Sequence, residues 1–458
     1  MKYLLFGTGD CYNRFRCWFE KDEISALIDN SNEKQGNILD GIEIVSPEVG
    51  IKKQYDIIII LSFYYESMKK QLLNLGVPDN KIYHFYDLHK FKNVDYNSHP
   101  IRTYSLDEQK SCKKILLLNQ NLSIGGPALT LLDSARILKK NGYQVVYGSM
   151  IDGPLKDVLL SEEISAIIDE NLLIATMNDI NWIQGYDLIL CNAINFYYFL
   201  SKRDTLIPCI WWLHDSEFFY EGVDKEIIAD ISDENLKTVA VGKVASNTLT
   251  HYAPQLQPEY LLYGTRDYTS DVIIKDCHDD KLIFMTVGFV ESRKGQDVLV
   301  EAITMLPLDI RTRCRFYIVG KNTSAMAQDL MEKASYISEI IFTGMVKDVH
   351  EYMVNSDVLI CPSREDPMPA ACTEAMMHGI PCIVSDIAGT AEYITPEENG
   401  WVFQSENADD LADKIVWCAK NKEKLVEMGN AARKVYEKHF EMGIFEKKLL
   451  KIVDDCLK

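Results

Sequence analysis

Asp366 and Glu374 are acidic residues eight positions apart in a segment whose pattern favours ligand chemistry. The apolar run from Val358 to Cys361 predicts a short buried strand, and the prolines that follow delay the next helix until about residue 370. Gly379 is typical of the end of that helix. Open α/β sheets bind ligands at the carboxyl ends of strands, close to helix N-termini. The alternative for Glu374 is a carboxylate that only complements the helix dipole.

A basic pair, Arg293 and Lys294, follows the apolar run from Leu282 to Val287 and the turn residue Gly288. A lysine and an arginine beside a glycine-containing turn between a strand and a helix can neutralise a pyrophosphate leaving group. A solvated basic turn on the protein surface is the alternative interpretation. The pair is therefore a candidate phosphate-binding element.

Gly125-Gly126 and His214 each follow a predicted strand in the middle of the chain, at residues 115–119 and 208–213. The two glycines would present backbone amides at a helix N-terminus, which suits a phosphate, although a plain turn fits the same pattern. His214 could act on a ligand in a crevice or be a hydrogen-bonded structural residue. No second histidine lies nearby, so no metal site is predicted.

The segment from Pro362 to Pro381 resembles the donor-binding segment of the retaining GT-B glycosyltransferases of family four. That segment reads P-S-x-x-E, seven variable residues, then E-A-x-x-x-G-x-P. The resemblance implies that Asp366, one methylene shorter than the family's glutamate, faces the transferred sugar and that Glu374 holds the nucleotide ribose. Met368 and Pro369 belong to the same predicted nucleotide-sugar site.

Three other segments resemble that family in the same order along the chain. Gly288 to Gly295 resembles its G-x-x-x-x-x-K-G loop, which implies that Lys294 meets the donor diphosphate. Phe289 stands where many members carry arginine, and Arg293 is the candidate substitute. Gly125-Gly126 resembles the start of the acceptor-side domain, and the resemblance places His214 near the donor sugar and the acceptor.

Two further turns are assigned to the same crevice. The resemblance implies that Met345 and Val346, after the predicted strand 340–344, contact the nucleobase through their backbone. Packing of these two side chains in the core is the alternative. Gly389 and Thr390 are predicted at another turn that faces the crevice.

The composition describes a globular protein with no broad nucleic-acid footprint. The chain has 458 residues, 47% hydrophobic and 25% charged, with a net charge of −20. The apolar run at the N-terminus is too short for a signal peptide, and the twelve cysteines fit no zinc spacing, which favours a reduced cytoplasmic protein. Lys447, Lys448 and Lys451 form a local basic face that is compatible with peripheral contact at the inner membrane surface.

The predicted fold class is α/β with GT-B architecture: two Rossmann-like α/β/α domains facing across a cleft, plus a small N-terminal Rossmann-like domain. The predicted parts are an accessory domain at 1–90, a linker at 91–112, an acceptor-side domain at 113–265, a donor domain at 266–435 and a C-terminal helix at 436–458 that crosses back.

The accessory domain begins with a Gly7-Thr8-Gly9 turn and has Asp29 after its second predicted strand. This dinucleotide-binding fingerprint is incomplete, because no third glycine follows at the required position. The domain also resembles the small Rossmann-like domain appended to some bacterial polysaccharide-biosynthesis enzymes. A bound nucleotide, a homo-oligomer contact and a docking role therefore stay open.

The resemblance implies transfer of a sugar from a UDP- or GDP-sugar to a hydroxyl acceptor, with retention of configuration and without a metal or other cofactor. The expected partners are the nucleotide-sugar donor and a glycan, lipid-linked or protein acceptor in bacterial polysaccharide, glycolipid or glycoprotein glycan synthesis. Two alternatives remain: a nucleotide-sugar epimerase of the same fold and a non-catalytic binding subunit of a glycosylation complex.

Overall fold

Three sheets with mostly parallel strands follow one another along the chain. The computed structural model describes residues 1–62, 64–92, 96–98, 101–104, 112–269 and 281–458. Most of the hinge that the sequence predicts between 266 and 280, and part of the predicted linker between 91 and 112, lie outside these residues. We call the regions around the first, second and third sheets the N-terminal unit (residues 1–92 and 96–98), the middle unit (101–104 and 112–265) and the C-terminal unit (281–458).

The N-terminal unit has six strands in the order β3-β4-β2-β1-β5-β6, and only β3 runs antiparallel to its neighbour. The strands are β1 (Tyr3–Phe6), β2 (Ile24–Ile28), β3 (Ile38–Leu39), β4 (Ile42–Val45), β5 (Ile57–Ile60) and β6 (Ile82–His84). The helices are α1 (Asp10–Phe15), α2 (Pro47–Gly50) and α3 (Tyr65–Asn74). The central strands β1 and β5 are fully apolar because helices and loops cover both faces of the sheet.

The turn after β1 is closed on itself rather than open to a ligand. Asp29 accepts hydrogen bonds from the Thr8 backbone N–H at 3.0 Å, from the Ser31 N–H at 2.9 Å and from Lys34 Nζ at 3.1 Å. Gly7 has φ +106°, and a Cβ there would lie 2.7 Å from the Leu61 carbonyl oxygen. The acid that would bind a ribose in a dinucleotide site is therefore occupied by its own loop.

The middle unit has eight strands in the order β14-β13-β12-β11-β8-β9-β10-β7. They are β7 (Arg102–Tyr104), β8 (Lys114–Asn121), β9 (Gln144–Ile151), β10 (Ser165–Ile168), β11 (Leu188–Asn192), β12 (Cys209–Leu213), β13 (Leu236–Ala240) and β14 (Glu259–Tyr260). The helices are α4 (Gly126–Lys140), α5 (Leu155–Ser161), α6 (Tyr197–Ser201), α7 (Glu217–Tyr220), α8 (Lys225–Ala229) and α9 (Lys243–Tyr252).

Strand β7 lies in the stretch that the sequence predicts to be a linker. It pairs antiparallel with β10 and covers the edge of the sheet. Its three residues are polar or partly exposed and carry no apolar alternation, so their sequence gives no strand signal. Strand β7 forms because its backbone pairs with the N–H and C=O groups at the edge of β10. This pairing is visible only in the tertiary structure.

The C-terminal unit has six parallel strands in the order β17-β16-β15-β18-β19-β20. They are β15 (Leu282–Val287), β16 (Cys314–Val319), β17 (Ile340–Gly344), β18 (Val358–Cys361), β19 (Cys382–Ser385) and β20 (Gly400–Phe403). The helices are α10 (Gln296–Met305), α11 (Leu308–Arg311), α12 (Ala325–Ala334), α13 (His350–Met353), α14 (Ala370–Met377), α15 (Ala408–Lys420), α16 (Leu425–His439) and α17 (Met442–Cys456).

Helix α17 returns to the middle unit and packs against it. The Phe445 ring stacks on Trp212 with centroids 5.5 Å apart, and the Tyr143 hydroxyl donates to Asp454 at 2.6 Å. The helix begins at Met442, after α16 has ended at His439, rather than at the predicted residue 436. Helix α17 thereby connects the C-terminal unit to the middle unit.

The described residues contain eleven cysteines, and all are free. Among the same residues, no helix combines the length and the apolar character needed to cross a bilayer. The three lysines of the predicted basic face lie exposed on α17.

Candidate functional site

A cleft of about 1090 Å³ separates the middle unit from the C-terminal unit. Strands β12, β15 and β18 end at this cleft, as parallel strands of facing α/β sheets do. Eight of the residues predicted from the sequence line it: Gly126, His214, Arg293, Lys294, Asp366, Met368, Pro369 and Glu374. The structure therefore brings together residues from four separate segments of the chain.

Lys294 and Asp366 form an ion pair at the centre of the C-terminal wall. Lys294 Nζ donates to Asp366 Oδ2, and the two side chains are only 22% and 11% exposed. The residues are 72 positions apart, but they follow the neighbouring parallel strands β15 and β18. Lys294 is thus presented to the cleft with a carboxylate as its counter-ion, ready to exchange for an anionic ligand.

Two glycines fix the loop that carries Asp366, residues 362–369. Gly295 has φ +66°, and a Cβ there would lie 2.0 Å from the Pro362 carbonyl oxygen. A Cβ on Gly389 would lie 1.7 Å from the Pro367 carbonyl oxygen. The Gly389 N–H also donates to the Asp366 carbonyl at 2.9 Å. The loop keeps its position because backbone packs directly on backbone at both places.

Gly389→Ala is expected to destabilise the protein by about 1–3 kcal/mol, because the added methyl cannot fit without moving the 362–369 loop. Urea unfolding measures the loss, and nucleotide binding should weaken with it. Gly185→Ala is the matched control, since a Cβ at Gly185 meets nothing within 4 Å and its φ is not positive. Equal stability of the two variants would contradict the role given to Gly389.

Arg293 lies at the cleft with its guanidinium already engaged. Its Nη2 donates to Glu291 Oε1 at 2.9 Å and its Nη1 to the Glu365 carbonyl at 3.1 Å. Phe289, at the position where arginine is common in the resembling family, is largely exposed. Lys294 is therefore the better placed of the two predicted phosphate ligands.

Arg364 links the 362–369 loop to the turn before α10 and was not identified from the sequence. It forms a bidentate pair with Asp297, at 2.8 and 2.7 Å, and its Nε donates to Glu406 at 2.7 Å. Its backbone N–H donates to the Arg293 carbonyl at 2.8 Å. The partners are distant in sequence, so no local pattern could have revealed this clamp.

Glu374 lies in the second turn of α14, where it is partly exposed and lines the cleft. Burial of the carboxyl raises its pKa to about 7. Among the described residues, none donates a hydrogen bond to this carboxylate. A buried carboxyl without a partner, facing a cleft, is a typical feature of a binding site and is not explained by the helix dipole.

Glu374→Gln is expected to stabilise the protein at alkaline pH. The carboxyl pKa is higher in the folded state than in the unfolded chain, so the protein loses stability as the pH rises from about 4.5 to about 7 and does not regain it above. The glutamine variant should therefore gain up to about 3 kcal/mol at pH 8.5, and almost nothing at pH 5. Urea unfolding at both pH values checks this, with Glu332→Gln on the exposed side of α12 as the control. A gain independent of pH would contradict it.

His214 faces the ion pair from the middle unit, at the end of β12. Its ring packs against Trp212 with centroids 4.7 Å apart, and its buried Nε2 has no hydrogen-bond partner among the described residues. Burial lowers the pKa of His214 to about 3, so the ring is neutral at pH 7. The unpartnered nitrogen argues against a purely structural role.

Asp215, the next residue, anchors the end of the strand. Its Oδ2 accepts the Ile194 N–H at 2.6 Å, and burial raises its pKa to about 6. It thereby fixes the backbone from which His214 projects.

Gly125 and Gly126 lie at the N-terminus of α4, and a Cβ on either would meet nothing within 4 Å. Neither residue has a positive φ. Gly126 lines the cleft, whereas Gly125 lines a second cavity next to it. The space around both glycines is compatible with the phosphate hypothesis, which stays a prediction.

Besides Gly125, five predicted site residues do not line the cleft. Met345 and Val346 follow the edge strand β17, and Met345 is 70% exposed. Gly389 and Thr390 are buried behind the 362–369 loop, and Gly288 supports the Lys294 side chain from below. Their assignment to the donor site remains a prediction.

Contacts between the units, which the sequence analysis missed, hold the loop at the cleft. Glu365 Oε1 accepts the Phe218 N–H at 2.7 Å, and the buried Tyr263 hydroxyl donates to the Met368 carbonyl at 3.0 Å. The hydroxyls of Thr265 and Thr373 are 2.9 Å apart. Within the described residues, no group of three or more His, Cys, Asp or Glu side chains is arranged to hold a metal ion.

Two known protein families match parts of this chain, and one of the matches includes residues of the cleft. The family described as Glycosyl transferases group 1 matches residues 273–435, which carry Lys294, Asp366 and Glu374. Residues 273–435 are thus similar to a group 1 glycosyltransferase domain. A second family, described as C2185-like, N-terminal, matches residues 1–83. The predicted family resemblance and the additional N-terminal domain are thereby confirmed.

Curated relatives of the group 1 domain align with part of their length. The lipopolysaccharide glucosyltransferase WaaG of Escherichia coli is 26% identical over 134 residues, 29% of this chain and 36% of that protein. An N-acetylgalactosaminyltransferase of Campylobacter jejuni that acts on N,N'-diacetylbacillosaminyl-diphospho-undecaprenol is 25% identical over 184 residues, 39% of this chain and 46% of that one. The alignments thus span less than half of either relative.

Solved structures similar to this chain extend the likeness beyond the group 1 domain. HepE of Anabaena, crystallised with UDP and glucose, superposes with a TM-score of 0.63 at 17% identity, over 75% of this chain and all of that one. The WaaG crystal structure has a TM-score of 0.57 at 17% identity, over 73% and 98%. These similarities confirm the predicted GT-B fold for about three quarters of the chain.

Proposed function

We propose that this chain transfers a sugar from a UDP- or GDP-sugar to a hydroxyl acceptor, with retention of configuration, in bacterial glycan synthesis. One observation carries the proposal: a cleft with the Lys294–Asp366 pair and the unpartnered Glu374 on one wall has the neutral His214 on the other. Such an arrangement supplies a cation for a diphosphate, acceptors for hydroxyls and a neutral group beside the sugar.

The donor half of the site provides charge and orientation. When a diphosphate binds, Lys294 Nζ exchanges Asp366 for phosphate oxygens and stabilises the charge that develops as the bond to the sugar breaks. The amides at the α4 N-terminus add donors. Asp366, freed from its counter-ion, accepts hydrogen bonds from hydroxyls of the transferred sugar, and Glu374 accepts those of the ribose.

His214 acts as a hydrogen-bonding group rather than as an acid, because its pKa of about 3 leaves the ring neutral. Retention by direct transfer requires the acceptor hydroxyl to approach the face of the sugar from which the diphosphate departs. The sugar carbon then exchanges its bond to the phosphate oxygen for a bond to the acceptor oxygen. The hydroxyl proton passes to the departing phosphate, and Lys294 stabilises that group.

The activities for which two relatives are named, and the ligands crystallised with a third, support this proposal. WaaG is a glucosyltransferase, the Campylobacter relative transfers N-acetylgalactosamine, and HepE was crystallised with UDP and with glucose. We extend to this chain the sugar transfer for which the first two are named and the UDP with which HepE was crystallised. We also propose that the transfer needs no metal, because Lys294 can neutralise the leaving group.

A binding and transfer experiment tests the proposal. The purified chain is screened by thermal shift with UDP, GDP and their common sugars, with EDTA and then with Mg²⁺. A ligand at a hundredfold its dissociation constant stabilises by about 2.7 kcal/mol, which such a screen detects. The donor that binds is then incubated with candidate acceptors, and NMR reports the anomeric configuration of the product.

We expect one nucleotide class to bind in EDTA and to give a retained product. Binding without transfer to any acceptor class would favour the non-catalytic subunit. No shift with any nucleotide would overturn the donor site itself.

A further inference from the structure

A second cavity, of about 410 Å³, lies between the N-terminal unit and the middle unit. Its volume is within the range of small-ligand sites, about 300–1000 Å³. Tyr64, Glu66, Ser67 and Tyr86 of the N-terminal unit line one side. The other side belongs to the middle unit, and it includes Gly125 and His214, so the cavity adjoins the donor cleft.

The N-terminal unit is held firmly enough against the middle unit to form one wall of a site. The Tyr86 ring stacks on Tyr198 with centroids 5.2 Å apart, and it meets Tyr197 edge-on at 5.4 Å. Below them, the Tyr96 hydroxyl donates to the Ile174 carbonyl at 3.2 Å. A continuous apolar core spans both units. The cavity is therefore a built feature of the fold.

Carboxamide side chains give the cavity its hydrogen-bonding capacity. Asn119, Gln120, Asn121 and Asn195 line it together. Asn195 Nδ2 donates to Gln120 Oε1 at 2.7 Å, which orients both amides. The Asn119 amide is held within the protein, since its Nδ2 donates to the Asn121 carbonyl at 2.6 Å and its Oδ1 accepts from Asn192 Nδ2 at 2.9 Å. An amide nitrogen donates a hydrogen bond and an amide oxygen accepts one. A row of oriented amides can therefore bind neighbouring hydroxyl groups, because each hydroxyl both donates and accepts.

Exposed aromatic rings surround these amides. Tyr64, Phe218 and Phe219 are unusually accessible for aromatic residues, at 73%, 49% and 41%. The two phenylalanines meet edge-on at 5.3 Å. Aromatic faces next to hydroxyl-binding amides suit a sugar ring, whose C–H face is apolar and whose edge is polar.

The acidic side chains around the cavity favour neutral saccharides over anionic ones. Glu66, Glu221 and Asp215 are among its described lining residues, and no lysine or arginine is. His214 adds no positive charge at neutral pH because burial lowers its pKa. A phosphate or a uronic acid would meet three acidic residues and no cationic side chain among these lining residues, whereas the carboxylates can accept hydrogen bonds from the hydroxyls of a neutral sugar.

We infer that this cavity binds the neutral sugar end of the acceptor, and that Tyr64 and Glu66 of the N-terminal unit help to select it. This inference rests on the proposed function, since it places the acceptor hydroxyl beside His214 and the donor sugar. The additional domain is then part of the acceptor site and not only an attachment to the catalytic core.

Saturation-transfer NMR on the full chain with UDP tests the inference. The probes are methyl α-glucoside, methyl β-galactoside and methyl N-acetyl-β-glucosaminide, with glucose 6-phosphate and galacturonate as charged counterparts. We expect an NMR saturation-transfer signal, which reports binding to the protein, for at least one neutral glycoside and for neither charged sugar. Tyr64→Ala and Glu66→Gln should each weaken that binding about three- to tenfold.

The controls separate a specific effect from a general one. Tyr336→Ala removes an equally exposed tyrosine, at 73%, from the C-terminal unit, and Glu33→Gln removes an exposed charge elsewhere in the N-terminal unit. Both should leave glycoside binding unchanged. Thermal shift with UDP is measured on every variant, and it should not change, since Tyr64 and Glu66 do not line the donor cleft.

Unchanged glycoside binding in Tyr64→Ala and Glu66→Gln, or stronger binding of the charged sugars, would overturn the inference while UDP binding persists. Loss of UDP binding in the wild-type chain would instead overturn the proposed function. A lipid-linked oligosaccharide that competes with the bound glycoside would identify the lipid-linked form as the source of the sugar. Competition by the free oligosaccharide alone would identify the free form.

Discussion

Replacing Lys294 with alanine is expected to lower kcat/KM for the nucleotide sugar by about 10²–10³-fold. The variant removes the cation that stabilises the departing diphosphate and leaves the largely buried Asp366 without its counter-ion. The remaining carboxylate would also repel the phosphates. Steady-state transfer rates measure the loss, and circular dichroism confirms that the variant is folded.

Two further variants sharpen this prediction. Lys347→Ala removes an exposed lysine of the same unit outside the cleft and should keep wild-type activity. Combining Lys294→Ala with Asp366→Asn removes the repulsion as well, so nucleotide affinity should partly recover while turnover stays low. Activity of Lys294→Ala within tenfold of the wild type would contradict the assignment of the diphosphate to this residue.

Glu374→Gln is expected to weaken nucleotide-sugar binding by about 10- to 100-fold, the effect of losing hydrogen bonds to a charged acceptor. The effect should depend on pH. Ribose hydroxyls donate to the ionised carboxylate, so binding favours ionisation of a group whose pKa in the free protein is about 7. Affinity should therefore rise from pH 5.5 to about 7 and level off above, with proton release on binding.

Isothermal titration with an intact nucleotide sugar, in buffers of different ionisation enthalpy, measures both the affinity and the protons released. A nucleotide sugar is preferable to UDP because its diphosphate does not titrate near neutral pH. In Glu374→Gln the pH dependence should disappear, and in Glu332→Gln it should match the wild type. The same pH profile in wild type and Glu374→Gln would assign the ribose to another residue.

The residues proposed for the donor site could be singled out from the sequence because each belongs to a strong local pattern. Apolar runs followed by prolines and glycines predict a strand, a loop and a helix from Val358 to Gly379, and the structure has β18 and α14 there. Met345 and Val346 follow β17, which strand order places at the sheet edge, and they are not among the residues that line the cleft. Their contact with the nucleobase stays a prediction.

The sequence by itself determined the three α/β units, the buried strands and the side chains that end them, because apolar periodicity and turn residues act over a few positions. Only the tertiary structure decided which ends meet. Lys294 reaches Asp366 because β15 pairs with β18 rather than only with its successor β16. The Arg364 clamp and the position of Tyr64 beside the donor cleft follow in the same way. Such pairings depend on strand order and on the docking of whole units, and neither leaves a signal in local residue spacing.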